Sequence, residues 1–164
     1  MPEKKTIERA RADARQGKLP STQAGEFVRE EIHHIREGKH GARSTQQAIA
    51  IGLSKARRAG VKLKTPKKGT VSEETRRAAA RDTRKAKSGG RKKTSARRSR
   101  AMLKRLKREG RSAASPQALA KQARSAARRR SAASRSASAK KAARTKGPAK
   151  RRAAAKKAAR TRAR

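Results

Sequence analysis

Lysine and arginine are the side chains of this sequence that can do chemistry in numbers, and they come in clusters. These are Arg57-Arg58, Lys67-Lys68, Arg91-Lys92-Lys93, Arg97-Arg98, Arg128-Arg129-Arg130 and Lys150-Arg151-Arg152. From Gly110 to Arg164 there are nineteen Lys or Arg and not one Asp or Glu. A solvated charged face interleaves acids with bases, and this stretch does not. Like charge at such density repels itself and is relieved by a polyanion. The chemistry open to these residues is phosphate neutralisation, in which each contact releases counterions from the nucleic acid. Nucleic acid is therefore the expected partner, with the clustered residues as its contacts. Phe27 is the single aromatic residue, so the stacking platforms of most single-strand and sequence-specific RNA binders are missing. This favours duplex DNA and leaves structured RNA, including ribosomal RNA, as the alternative.

Other chemistries find little support. His33, His34 and His40 lie near Glu30 and Glu37, but adjacent helical residues point about 100° apart and do not converge on one ion, so no metal site is expected. No P-loop, dinucleotide fingerprint or nucleophile elbow is present; no catalytic residue, cofactor or enzyme activity is expected. The absence of cysteine excludes disulfides and thiolate ligands. The longest largely apolar run, Ala48 to Leu53, is far short of the roughly 20 residues of a membrane span, and alanine-rich basic helices lack the bulky apolar face of a membrane-surface helix. The start Met-Pro-Glu-Lys-Lys is followed by no apolar h-region. A cytoplasmic location, in the nucleoid, and no membrane partner are expected.

The elements that must carry the basic residues fall into two regimes. The formal charge is +41, of which residues 1–64 hold +8 and the remaining hundred +33. Twelve large apolar residues lie in the first 64 positions and five beyond, so the core is expected before residue 65. A unit of that size buries only about 60% of its unfolded surface and is marginal. Residues 1–20 read as an N-terminal helix stopped at Gly17, with a break at Leu19-Pro20. Residues 21–64 read as a helical hairpin. Its first helix is capped by Ser21 or Thr22 and carries Ala24, Phe27, Val28, Ile32 and Ile35. Its second starts at a Ser44/Gln47 capping box and ends at Gly60. Ala48 and Gly52 allow close approach of the first helix, and Val61 and Leu63 fold over the open end. Residues 65–130 are a basic, partly helical region, and 131–164 a disordered basic tail that becomes partly helical on phosphate. The expected fold class is mostly α, a small N-terminal hairpin followed by a long, largely disordered arm rich in Ala, Lys, Arg and Ser.

The hairpin also admits a helix-turn-helix reading in which Ser44, Thr45, Gln46 and Gln47 face bases; helix capping by Ser44 and Gln47 is the favoured account. Its first helix, Gln23 to Glu37, opposes Glu26, Glu30, Glu31 and Glu37 to Arg29 and Arg36. These acids are expected to hold basic groups of the same chain, or of a second copy in weak self-association through the hairpin. Replacing Glu30 and Glu31 with Gln is then expected to strengthen DNA binding at low salt.

The stretch STQAGEFVREEIHHIREGKHGARSTQQAIAIGLSKARRAGVKL, Ser21 to Leu63, resembles an uncharacterised bacterial family of small basic proteins, a domain of unknown function. The match spans about a quarter of the chain and implies no activity. The Ala/Lys/Arg tail is similar in composition to bacterial histone H1-like proteins, and that likeness implies DNA compaction. The expected function is sequence-nonspecific duplex binding and compaction, with a protein-interaction hairpin tethered to DNA by its tail as the reading from another class.

Overall fold

The computed structural model describes residues 2–87 and 95–162. Three N-terminal helices, α1 (Lys4–Arg15), α2 (Pro20–Arg36) and α3 (Thr45–Arg58), share one stop signal: a glycine two residues past the last helical position. Gly17, Gly38 and Gly60 take φ of 68°, 77° and 94°. The following amides, Lys18, Lys39 and Val61, bond back to Asp13, His34 and Ala56 carbonyls at 2.9, 3.0 and 3.1 Å. This is the Schellman closure, which satisfies otherwise orphaned carbonyls and needs a residue free of Cβ at the reversal. At the other ends the signals differ. Ser44 Oγ accepts from the Gln47 amide at 3.1 Å, and Gln47 Oε1 accepts from the Arg43 amide at 2.8 Å, a capping box shifted by one donor. The start of α2 departs from expectation. Pro20 opens the helix instead of breaking it, with Leu19 as an N-cap lacking a side-chain bond, because proline's fixed φ and missing N–H suit the first helical position.

Two apolar clusters hold these helices. In the first, Phe27 packs with Ala10, Ala24 and Ala56, and Ile7, Leu53, Val61 and Leu63 close its edges. Val61 and Leu63 thus cover the end of the hairpin as their position suggests. In the second, Ile32, Ile35, Ala42 and Ala48 pack with Ala113 and Ala114, flanked by Val28 and Leu119. The backbones of α2 and α3 approach closely at Gly52, where a Cβ would stand 2.7 Å from Val28 Cα and 3.0 Å from its Cγ2. Alanine is favoured over glycine in a helix by about 1 kcal/mol, whereas overpacking costs about 1–3 kcal/mol. Gly52→Ala is expected to lower the thermal midpoint despite its better propensity; a rise would show that the two helices separate freely.

The expectation of a small hairpin followed by a long disordered arm is corrected by the helices beyond residue 64. Residues 73–87, 96–108, 116–128 and 132–162 are helices α4 (Glu73–Lys87), α5 (Ala96–Arg108), α6 (Pro116–Arg128) and α7 (Ala132–Arg162), and Ser112–Ala114 is a single 3-10 turn. The core crosses the expected boundary for two reasons. On α4, Ala79 is buried, and Asp82 accepts from Ser54 Oγ at 2.6 Å with Arg58 Nε 3.9 Å away. Further on, the end of α5 and the segment after it clip to the hairpin through their carbonyls: Gly41 N–H to Leu106 O at 2.9 Å, Ala42 N–H to Gly110 O at 3.1 Å, Thr45 Oγ1 to Ala113 O at 2.7 Å and Arg36 Nε to Ala114 O at 2.9 Å. Counting large apolar residues missed this, because the contact is made by alanines and backbone.

The chain divides into two units, 1–120 and 121–164. In the second, α7 has no buried residue; its helicity draws on residue propensity, since Ala, Lys and Arg lead the helix scale. Twelve of its 31 residues are alanine, set against the like charges at i,i+4. Ser138, Thr145 and Thr161 hydroxyls donate to carbonyls one turn back. Gly147, at φ 68° and ψ 167°, interrupts it, and Pro148 starts the second half.

Candidate nucleic-acid interface

The basic residues singled out by sequence occupy unlike positions. Arg57 is 8% exposed, with Nε lacking a partner; burial pushes its guanidinium down, and the Asp82 charge opposes this. It lies on the buried side of α3 and cannot meet phosphate without local opening. Its neighbour Arg58 is exposed but turns back on Ser54 and Asp82. Lys67 and Lys68 are exposed in the loop before α4. Arg91, Lys92 and Lys93 lie outside the described residues. Arg97 and Arg98 are exposed in the first turn of α5. Arg128, Arg129 and Arg130 are exposed where α6 ends, with Arg130 bonded to Ser134 and Ser138. Lys150, Arg151 and Arg152 open the second half of α7, exposed to solvent.

Helix formation adds residues that clusters in sequence do not reveal. On α5, Arg100, Lys104, Arg105, Lys107 and Arg108 join Arg97 and Arg98, all exposed and with no acid within the helix. The opposite side presents Met102 and Leu103, 55% and 46% exposed. On α4, Arg76, Arg77, Arg81 and Arg84 line a shallow groove around Ala80. Arg76 is engaged by Glu73, with Nε to Oε2 at 2.8 Å; that bond lowers the Glu73 carboxyl and raises the Arg76 guanidinium. The pattern at 3–4-residue spacing was present in the sequence, but only the helix assignment makes it a face. On α7, twelve Lys and Arg stand in a helix without one acid.

The hairpin's acids are committed internally. Glu30 and Glu31 are buried, 6% and 0% exposed, and share Lys55 Nζ at 3.3 and 2.6 Å. Glu26 faces Arg29 at 3.3 Å and Arg9 at 3.9 Å, and Asp13 holds Lys18 at 2.6 Å. The acids thus hold basic groups of their own chain, as one of the two expectations had it. The companion expectation for Glu30 and Glu31 is overturned by their burial: they cannot compete with phosphate for exposed cations. Replacing both with Gln would leave the partly buried Lys55 ammonium without a counter-charge, which destabilises the hairpin.

Helix-turn-helix readout is equally disfavoured by position. Thr45 is buried against Ala113, and Ser44 and Gln47 are spent on capping; Gln46 alone of the four is exposed. Among the described residues no helix is long and apolar enough to cross a membrane. No protein-family model matches the chain, and neither a curated protein nor a solved structure matches it.

Proposed function

We propose that this protein binds duplex DNA through its phosphates without sequence preference and compacts it, in the manner of a histone H1-like nucleoid protein. The observation that carries the reading is α7: 31 residues, none buried, twelve cationic and none acidic. A helix with no interior face contributes no core, so its basic residues have no folding role that would explain them. A helix of about 10–12 Å diameter fits the roughly 12 Å major groove of B-form DNA, whereas the deep, narrow major groove of A-form RNA does not admit side chains. That geometric difference favours DNA over structured RNA. Cationic helices occur in both units, on α5 and on α7, so one chain offers basic surface to more than one duplex segment.

The expected result is competition between unrelated DNA duplexes that stays within about tenfold, against the roughly 10³ or more of a specific regulator. A double-stranded RNA of equal length should compete less well at every salt concentration. Filter binding or fluorescence anisotropy with the full chain measures both. One preferred site emerging from a random-duplex selection, or RNA outcompeting DNA, would replace this reading.

A further inference from the structure

Glu31 sits in the middle of α2 with its side chain 1% exposed. Neither of its oxygens finds a well-formed hydrogen bond. Lys55 Nζ stands 2.6 Å from Oε2, close enough that the ion pair is not in doubt, and His40 Nε2 is 3.2 Å from Oε1. The other nitrogen of His40, Nδ1, lies 3.0 Å from Gly41 O. A carbonyl only accepts, so Nδ1 carries a hydrogen, and on the neutral ring Nε2 then presents a lone pair. That nitrogen and the Glu31 carboxylate are then acceptors side by side in a buried place, with no hydrogen bond between them. A cation between them resolves the conflict.

His34 completes the arrangement. It follows Glu31 by three residues, on the same face of α2, and its ring meets that of His40 edge-to-face with centroids 6.3 Å apart. His34 Nε2 is 2.8 Å from Glu3 Oε1, a bond that also lowers the Glu3 carboxyl. One ligand atom each from Glu31, His34 and His40 lie within 4.8 Å of one another. The turn at Gly38 makes this possible: it reverses the chain after α2 and returns His40 over His34. Adjacent His33, exposed on another face, takes no part.

We infer that Glu31, His34 and His40 bind a divalent transition ion of the zinc class, with water in the fourth position. Two imidazoles and one carboxylate are a donor set for zinc, copper or nickel, not for calcium or magnesium. Zinc bound at about 2.0–2.1 Å holds its ligands roughly 3.4 Å apart, a spacing that His40 and Glu31 already meet at 3.2 Å, with all three ligand atoms within 4.8 Å of one another. A backbone partner on the far nitrogen of a ligating histidine is a usual means of fixing ring orientation; Gly41 O supplies it for His40, and the Glu3 carboxylate holds the His34 ring. Lys55 does not forbid the ion. It faces both Glu30 and Glu31, which leaves the buried group one negative charge in excess. The site ties the loop after α2 to the helix itself, and that loop receives Leu106 O and Gly110 O through the amides of Gly41 and Ala42. By its position the ion braces the loop that docks the end of α5 and the residues that follow it.

Zinc titrated into the full, tag-free chain by calorimetry should show one tight site and raise the thermal midpoint. Cobalt should give the intense visible bands of a tetrahedral ion. H34Q or H40Q should weaken zinc binding at least about tenfold, since removing even an outer partner of a ligand costs 10–100-fold, and should abolish the thermal shift. H33Q should behave as wild type. Should H34Q or H40Q unfold, the wild type alone decides: diamagnetic zinc must move the ring nitrogen signals of His34 and His40 far more than those of His33. No zinc bound by the folded wild type, H33Q weakening binding as much as H40Q, or equal perturbation of all three rings would overturn the site.

Discussion

A chain ending at Ala120 is expected to bind duplex DNA at least about a hundredfold more weakly than the full chain near 0.1 M salt, and with a shallower salt dependence. The residues removed hold 18 of the 52 Lys and Arg and none of the 11 acids. Each phosphate contact contributes a slope of roughly −0.9 to the logarithmic salt plot, so the loss of several contacts reads out directly as a smaller slope. The cut is placed by the structure. A fragment ending at Lys64, the boundary suggested by the shift in composition, would discard Ala79, Ala113 and Ala114 from the core and mix unfolding with lost charge. The Ala120 fragment keeps the residues that clip to the hairpin and remains basic through α4 and α5. Anisotropy titrations at four or five salt concentrations, beside circular dichroism of the fragment, measure affinity and folding together. Equal affinity and equal slope for the two chains would move the interface to α4 and α5, and the proposal that α7 carries binding would fail.

The parts of this fold that were legible are those set by local signals. Ser44 with Gln47, and a glycine placed just beyond each of the first three helices, act within one turn of the chain. Their outcome depends on little else. The apolar spacing of Phe27, Ile32 and Ile35 similarly fixes which face of α2 is buried. What was not legible is the docking of Ala113 and Ala114, which depends on a hydroxyl and a carbonyl meeting across 68 residues at Thr45; alanine carries no periodic signal strong enough to announce it. The disorder expected for the tail failed on a balance of small terms, alanine propensity against like-charge repulsion, whose sign composition alone does not give. At the candidate interface, clustering in sequence picked out exposed residues on α5 and α7 but also Arg57, which the helix turns inward. Basic pairs report local charge density, not which side of a helix they occupy. The proximity of His34 and His40 was hidden for the opposite reason: adjacency drew attention to His33 and His34, whereas the rings 6.3 Å apart are those of His34 and His40, and bringing them together needs the reversal at Gly38.

Phe27→Ala is expected to lower the thermal midpoint of the cooperative transition by about 12–20 °C, the largest effect of any single substitution in the hairpin. Phe27 is 1% exposed, and its buried neighbours Ala10, Ala24 and Ala56 are all alanines. The fully buried neighbours have no side chain long enough to fill the space it leaves, so a cavity term adds to the lost transfer energy, reduced by whatever Ile7, Leu53, Val61 and Leu63 move in from the edge. Phe→Ala in a core costs about 3–5 kcal/mol, a third or more of the roughly 5–15 kcal/mol that a domain possesses, and each kcal/mol moves the midpoint by about 4 °C at this size. Leu19→Ala is the control, since Leu19 is 58% exposed and surface changes stay within about ±0.5 kcal/mol. The division into two units adds a second expected outcome. Residues 121–164 contribute nothing to the Phe27 cluster, so Phe27→Ala should leave a helical circular-dichroism signal above the transition of the first unit and retain DNA binding within about tenfold at low salt. A variant that loses the midpoint and the binding together would show that the interface depends on the hairpin, and would return the first unit to the centre of the function.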